Sequence, residues 1–315
     1  MRVGIVGAGI AGLACAQGLA QRGHEPVLFD KGRGPGGRMS TRRIETSQGQ
    51  AHFDHGAQYF TAREPAFQSQ VSDWVAEGVV APWPAAGSDA YVGVPAMNAP
   101  VRELAGHHVV HWSSRVTEVA RHGAGWRLSL EHGDPQDVDL AVIAVPAEQA
   151  AALLVDVAPD LASRACAAVS EPCWTVMAAF AQPVVVAADC RRSEHVVGWA
   201  ARNNAKPGRT GPESWVVQAT PEWSRRNIDA EPDEVAADLL GALAEDLEVD
   251  LPARIGLSSH LWRFARSAHG GTGPIFDHRR RLGLCGDWLV GPRVESAWLS
   301  GASLAELIGS GVDTG

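Results

Sequence analysis

A short β-branched run, Val3, Ile5 and Val6, opens the chain and stops abruptly at Gly7, with further glycines at Gly9 and Gly12. A proline-free stretch of helical pattern follows to about Gly23, and then a second apolar run, Val27, Leu28 and Phe29, ends on Asp30. Apolar runs of about four to eight residues bounded by turn residues read as buried strands. Such runs recur at 138–146, where almost every position is apolar, and at 115–119, 174–180, 195–200 and 214–220. Between 231 and 247 the period changes. There Val235, Leu239, Leu240, Leu243 and Leu247 repeat at helical spacing behind Asp233 and Glu234, acids suited to a helix's first turn. A last strand from Arg281 ends at Gly286 and Asp287, and a loop leads into a terminal helix near Val294.

The opening order of strand, glycine turn, helix, strand and acid predicts a βαβ unit for an ADP moiety. Gly7 permits the tight turn, Gly9 lets the backbone approach a pyrophosphate, and Gly12 lets the helix pack on its strand. The N–H groups at the helix start, at Ile10 and Ala11, then face the phosphates. Asp30, about 20 residues on, stands where a ribose hydroxyl is held, with Lys31 beside it. Val116 is placed to touch the adenine through its backbone.

Composition narrows the field. The chain has 315 residues, 45% of them hydrophobic, enough for a large core and two subdomains. Its net charge of −9, with no basic run interleaved with aromatics, argues against a nucleic-acid partner. Five cysteines without a CxxC pair argue against a disulfide scaffold or zinc site and for a reducing compartment. Twelve histidines include no HExxH, and His107, His108 and His122 fall in turn-like segments, so no metal is expected. Arg2 before an apolar stretch invites a leader-peptide reading, but the clustered glycines and the polar Gln17, Gln21 and Arg22 oppose it. No run approaches the roughly 18 uninterrupted apolar residues of a membrane span. The expectation is a soluble, cytoplasmic chain with no membrane partner.

Lys31-Gly-Arg-Gly-Pro-Gly-Gly-Arg-Met39 follows Asp30 at once. A nicotinamide dehydrogenase has no general need for this second glycine loop, whereas an extended flavin dinucleotide can use it. Gly36 and Gly37 permit close approach, and Arg38 offers a guanidinium fork for a phosphate. At the far end, Gly286 allows close approach and Asp287 suits the ribityl chain. The final helix, from Val294 through Ala297, aims its N–H groups at the flavin's pyrimidine edge. Cys285 reads as a small buried residue rather than a covalent flavin link, so non-covalent FAD is expected.

These pieces resemble the flavin-dependent amine oxidase superfamily. His55-Gly-Ala-Gln-Tyr-Phe-Thr-Ala62, Trp199-Ala-Ala-Arg-Asn-Asn-Ala-Lys-Pro-Gly-Arg209, Trp223-Ser-Arg-Arg-Asn227, Trp262-Arg-Phe-Ala265 and Cys285-Gly-Asp-Trp288 resemble its renalase-like, bacterial-type group over nearly the whole chain. A departure falls at Gly93-Val-Pro-Ala-Met97, where that group tends to carry Gly-Lys-Pro-Gly-Met, and 83–91 is short for the group. The resemblance implies an α/β fold, a Rossmann-type FAD-binding domain with a second, α+β substrate domain in p-hydroxybenzoate hydroxylase-like topology. FAD-binding pieces are expected at 1–65, 97–165 and 255–315, and substrate-domain pieces at 66–96 and 166–254. Loops are expected at 206–212 and 269–274.

The activity so implied is oxidation of off-pathway dihydro-NAD(P) isomers, with the extra hydride at ring position 2 or 6. Flavin N5 takes the hydride, NAD(P)+ leaves, and O2 becomes hydrogen peroxide. No substrate proton is removed, so no catalytic base is expected; the protein stacks the ring at attack distance. Tyr59 and Phe60 are the expected stacking residues, Trp288 a pocket wall, and Arg202 and Asn203 contacts to the substrate amide or phosphates. His55, Gly56, Ala57 and Gln58 are expected beside the flavin, His55 as a positioning group. Three alternatives stay open: an amine oxidase using Lys206 to hold a water, a non-catalytic flavin sensor, and a plain NAD-dependent dehydrogenase.

Overall fold

The computed structural model describes residues 1–267 and 271–310; residues 269 and 270 of the expected 269–274 loop lie outside them. Its first layer is a six-stranded sheet in the order Ile275–Asp277, Leu282–Leu284, Leu140–Ile143, Arg2–Val6, Glu25–Phe29, Val109–His111. All neighbours are parallel except the edge strand Ile275–Asp277. Parallel strands are covered on both faces, which is why their sequences read as continuous apolar runs. Leu140 and Val142 pack toward one face, and Ala141 and Ile143 toward the other, as period two requires.

Helices Ile10–Gln21 and Val294–Ser310 cover the first face and pack closely on each other. A Cβ at Gly301 would lie 2.0 Å from the Ala11 carbonyl oxygen, so only glycine allows that approach. The second face carries a three-stranded antiparallel sheet, Val116–His122, Gly125–Leu130 and Gln136–Val138, and helices Ala147–Leu154 and Pro159–Cys166. This three-layer nucleotide-binding half is the expected Rossmann-type unit.

A five-stranded antiparallel sheet forms the other half, in the order Cys190–Arg192, Val197–Arg202, Glu213–Ala219, Ser170–Phe180, Arg254–Ser267. Helix Pro232–Leu247 packs Val235, Leu239, Leu240 and Leu243 onto its outer face, each worth about 2 kcal/mol in buried side-chain area. The inner face meets Ala51 and Phe53 from a hairpin, Thr41–Thr46 with Gly49–Asp54, that the sequence pattern did not announce.

Two expected boundaries shift. Strand Arg254–Ser267 pairs along Ser170–Phe180, so the antiparallel sheet runs to 267 instead of ending at 254. Helix Pro65–Ala76 and the small sheet of Phe60–Thr61, Val80–Pro82 and Ala90–Gly93 bury Phe67, Val71, Trp74 and Val92 in the nucleotide half's core. Residues 66–96 therefore bridge the two halves and do not join the antiparallel sheet.

Candidate functional site

Where the halves meet, the glycine turn takes the shape its sequence requires. Gly7 has φ +104°, and its N–H donates to the Phe29 carbonyl at 2.8 Å. A Cβ at Gly12 would lie 2.1 Å from the Gly7 carbonyl oxygen, whereas a Cβ at Gly9 would meet nothing within 4 Å. Gly9 faces open space because it lines, with Ile10 and Ala11, a cavity of about 750 Å³. Helix Ile10–Gln21 has no side-chain cap, so its first N–H groups have no intrahelical partner and point toward that space.

Asp30 is already engaged. Its carboxylate accepts from Ala8 N and Gly32 N, both at 2.7 Å, and so ties the two glycine loops together. Lys31 donates to Gln149 Oε1 at 3.1 Å on the surface, and Gly37 (φ +53°) starts a short turn beside Gly9. Asp30, Lys31, Gly37 and Val116 do not line the cavity; Val116 is buried in the core beneath the three-stranded sheet.

Arg38 and Asp287 both line it, but they hold each other. Nη1 donates to Oδ2 at 2.7 Å and Nη2 to Oδ1 at 2.5 Å, a bidentate pair across the whole length of the chain. Two of the Arg38 donors expected to face a phosphate meet Asp287 here, and the pair welds the second glycine loop to the C-terminal Gly-Asp turn. Gly56, Ala57 and Gln58 come next along the wall. The Ala57 N–H donates to the Arg38 carbonyl at 2.8 Å, and Gly56 passes so close that a Cβ would clash with it. Gly286, Val294 and Ala297 close the far side.

His55 sits behind this wall. Its carbonyl accepts from Trp262 Nε1 at 2.8 Å, and its ring packs against His260 and Trp262. Burial, with Arg42 and His260 nearby, pushes its pKa down to about 4, so the ring is neutral.

Beyond Gln58 the cavity widens into an aromatic slot. Tyr59 and Trp199 face each other with ring centres 5.3 Å apart and 41° between planes. Phe60 reaches the wall from a packed cluster with Phe67 and Tyr91. Arg192 lies over both slot rings, 4.8 Å from the Trp199 ring centre and 5.8 Å from that of Tyr59, and donates to the Tyr59 hydroxyl. Gln218, from the neighbouring strand, donates to the Gly56 carbonyl at 2.8 Å and holds the slot against the Gly56–Gln58 segment.

Three expected substrate contacts are corrected. Arg202 spends its guanidinium on Glu213, Asp189 and the Val184 carbonyl at 3.0, 2.8 and 2.6 Å, away from the cavity. Asn203 is fully buried and clasps the hairpin, donating to the His52 carbonyl at 2.8 Å and accepting from Asp54 N at 3.2 Å. Trp288 lies in the nucleotide core beneath Gly286, and its indole donates to the Val145 carbonyl at 3.2 Å. Strand pairing explains the first two: both follow Trp199 on the same strand and turn, but their polar atoms meet partners before they reach the slot.

Sequence reasoning did not assign Arg192, Trp199, Gln218 or Trp262 to the site, although Trp199 and Trp262 each open a quoted motif. It also missed a buried charge cluster behind Gln58. Asp54 Oδ2 accepts from Lys206 Nζ at 3.2 Å and Arg209 Nη2 at 2.6 Å, while Oδ1 accepts from Thr41 Oγ1 and Met97 N. Burial alone would raise the Asp54 pKa, but Lys206 and Arg209 outweigh it and hold the carboxyl well below its usual range. Burial brings Lys206 down to about 8. Lys206 also donates to Gln58 Oε1 at 3.2 Å and so is not free on the cavity wall.

A glycine-loop helix start, a welded Arg38–Asp287 pair and a helix start at Val294 line one cavity, the elements of a site for a dinucleotide flavin in an α/β oxidoreductase. The comparisons agree with that class. Residues 5–77 match the family model for NAD(P)-binding Rossmann-like domains, and residues 84–308 match that for flavin containing amine oxidoreductases. The chain belongs to the flavin-containing amine oxidoreductase family, and its cofactor is a flavin.

Among solved structures, cyclohexylamine oxidase from Brevibacterium oxydans IH-35A superposes with a TM-score of 0.72 at 14% identity over 99% of both chains. A candidate protoporphyrinogen oxidase from Exiguobacterium sp. 255-15 gives 0.75 at 13% identity over 98% of both chains. At such identities the likeness is one of fold. Over 40 residues the chain is 45% identical to 4,4'-diapophytoene desaturase of Staphylococcus aureus, a match covering 13% of this chain and 8% of that enzyme. No helix among the described residues is long and apolar enough to cross a membrane.

Proposed function

We propose that the protein is an FAD-dependent oxidase of dihydronicotinamide dinucleotides whose extra hydride sits at ring position 2 or 6, releasing NAD(P)+. The residues fit the cofactor. Gly9, Ile10 and Ala11 leave an open, N–H-lined space for the pyrophosphate, while Gly286, Asp287, Val294 and Ala297 leave room for the ribityl chain and ring. When bound, FAD supplies a two-electron acceptor that takes the hydride and passes the electrons to O2 as hydrogen peroxide.

The observation that carries the reading is the slot of Tyr59 and Trp199, which opens directly beside Gly56, Ala57 and Gln58. Tyr59 and Trp199 pack on each other, so a flat dihydropyridine fits against the aromatic wall they form rather than between them, and its oxidation restores aromaticity without loss of a proton to the protein. The chain's work is then to orient the ring and exclude water. His55, neutral and behind the wall, serves as packing for the loop before Gly56.

The Tyr59–Trp199 pair also favours a second reading, amine oxidation, because paired aromatic faces attract an ammonium. Against it stands Lys206, committed to Asp54 and Gln58 and absent from the cavity wall. Aerobic incubation of the flavin-loaded protein with the separated 2- and 6-dihydro isomers tests the choice. Equal yields of NAD+ and hydrogen peroxide are expected; peroxide formed only from amines would reverse it.

A further inference from the structure

The cavity wall carries positive charge in a chain of net charge −9. Among its arginines, Arg38 is held by Asp287, Arg63 by Asp89 at 3.4 Å, Arg266 by Glu171 at 2.9 Å and Arg293 by Glu295 at 3.5 Å. Arg192 differs: among the described residues it has no carboxylate partner. It projects from the edge strand Cys190–Arg192 over the slot, where Tyr59 and Trp199 supply ring faces; Glu194, two residues on, lines the same cavity but makes no ion pair with it among the described residues.

Two consequences follow from a guanidinium in that place. The electron-rich ring faces that would draw in an ammonium are already covered by a cation, so a second cation meets like charge. An anion meets the reverse: Nη2 donates to the Tyr59 hydroxyl, while Nε and Nη1 remain as a fork matched to phosphate oxygens.

We propose that Arg192 determines the specificity of this cavity: it binds a phosphate of an anionic dihydropyridine nucleotide and bars amines from the aromatic pair. The inference rests on the proposed function for the dihydropyridine and on the unpaired guanidinium for the phosphate. Arg192 is a binding residue, so its effect falls on substrate affinity more than on the rate of the bound complex.

The test uses the flavin-loaded enzyme and its Arg192→Ala and Arg192→Lys variants, reduced anaerobically by dihydronicotinamide riboside or by the corresponding mononucleotide, which adds one phosphate. Wild type should favour the mononucleotide. Arg192→Ala should weaken the mononucleotide by about tenfold or more beyond its effect on the riboside, in apparent Kd and not in limiting rate, with Arg192→Lys between. Equal losses for both substrates would overturn the inference and leave Arg192 a packing residue. Pyrophosphate binding, followed by the flavin absorbance change, gives a readout without turnover. It should weaken by a similar factor in Arg192→Ala; unchanged binding would overturn the inference. Should neither nicotinamide reduce the wild-type flavin, the proposed function fails, and the pyrophosphate titration alone decides the role of Arg192.

Discussion

On one side of the segment 54–60, Lys206 and Arg209 share the carboxylate of Asp54 in a buried cluster; on the other, Arg192 stands over Tyr59 and Trp199 without a carboxylate partner among the described residues. The inner cluster is held by protein atoms, Thr41, Met97 N, Gln58 and the Gly93 and Pro207 carbonyls, while Arg209 Nε has no acceptor among the described residues. None of the three charged residues lines the cavity. Its role is placement, since it fixes the end of strand Gly49–Asp54 and the orientation of Gln58 on the cavity wall. The outer guanidinium is only part-satisfied, and its free donors face the slot. Charges closed on themselves hold the loop, and the charge left open reads the substrate.

Breaking the inner cluster should have the largest effect. Asp54→Ala strands two buried cations, and loss of one partner in such a cluster costs about 3–5 kcal/mol. Urea unfolding of the variant should show that loss; a cost under about 1 kcal/mol would mean the cluster is wetter than its burial indicates.

Acid should act next, through the imidazoles. Unfolded histidine takes up a proton near pH 6.5, while folded His55 stays neutral down to about pH 4. The unfolded state therefore binds more protons across that interval, and stability falls as pH falls through it. His260, lowered by burial and Arg42, adds in the same direction. The expected loss is of order 3 kcal/mol between pH 6.5 and 4. His55→Phe, which cannot take up a proton, should flatten the profile of unfolding free energy against pH.

A cut at the Arg38–Asp287 weld comes third. Arg38→Ala leaves Asp287 buried and unpaired at the join of the two turns on the cavity wall, so the flavin should dialyse away more readily, by about 2 kcal/mol in binding. Retention equal to wild type would show that the weld does not shape the cofactor site. The smallest effect sharpens a correction. Arg202→Ala should cost about 1–2 kcal/mol of stability and leave the substrate concentration dependence of flavin reduction within about twofold, because its partners are Glu213 and Asp189.

The nucleotide half was legible because its signals are local. Val3 to Gly12 and Val27 to Asp30 carry strand, turn, helix and acid in sequence order, and helix Pro232–Leu247 declared itself by the spacing of Val235, Leu239 and Leu243. The slot was half legible. Tyr59 and Phe60 follow directly from the Gly56–Gln58 segment on the cavity wall, but Trp199 and Arg192 reach it only through antiparallel pairing of strands Cys190–Arg192 and Val197–Arg202. Offsets of a few residues decided the misses. Trp199 faces the slot, whereas Arg202 and Asn203, three and four positions on, meet Glu213 and the hairpin backbone first. Arg38 shows a different limit: its chemistry was read correctly as a fork, but its partner lies 249 residues away and no local pattern announces it.

The central claim is that the slot beside Gly56–Gln58 takes a dihydronicotinamide ring. Anaerobic stopped-flow mixing of the flavin-loaded protein with 2- or 6-dihydro-NAD, watching flavin absorbance, tests it most directly. The account predicts bleaching by at least one isomer, slowed about tenfold or more in Tyr59→Ala while the flavin stays bound. Bleaching by a primary monoamine with no response to either isomer would contradict it.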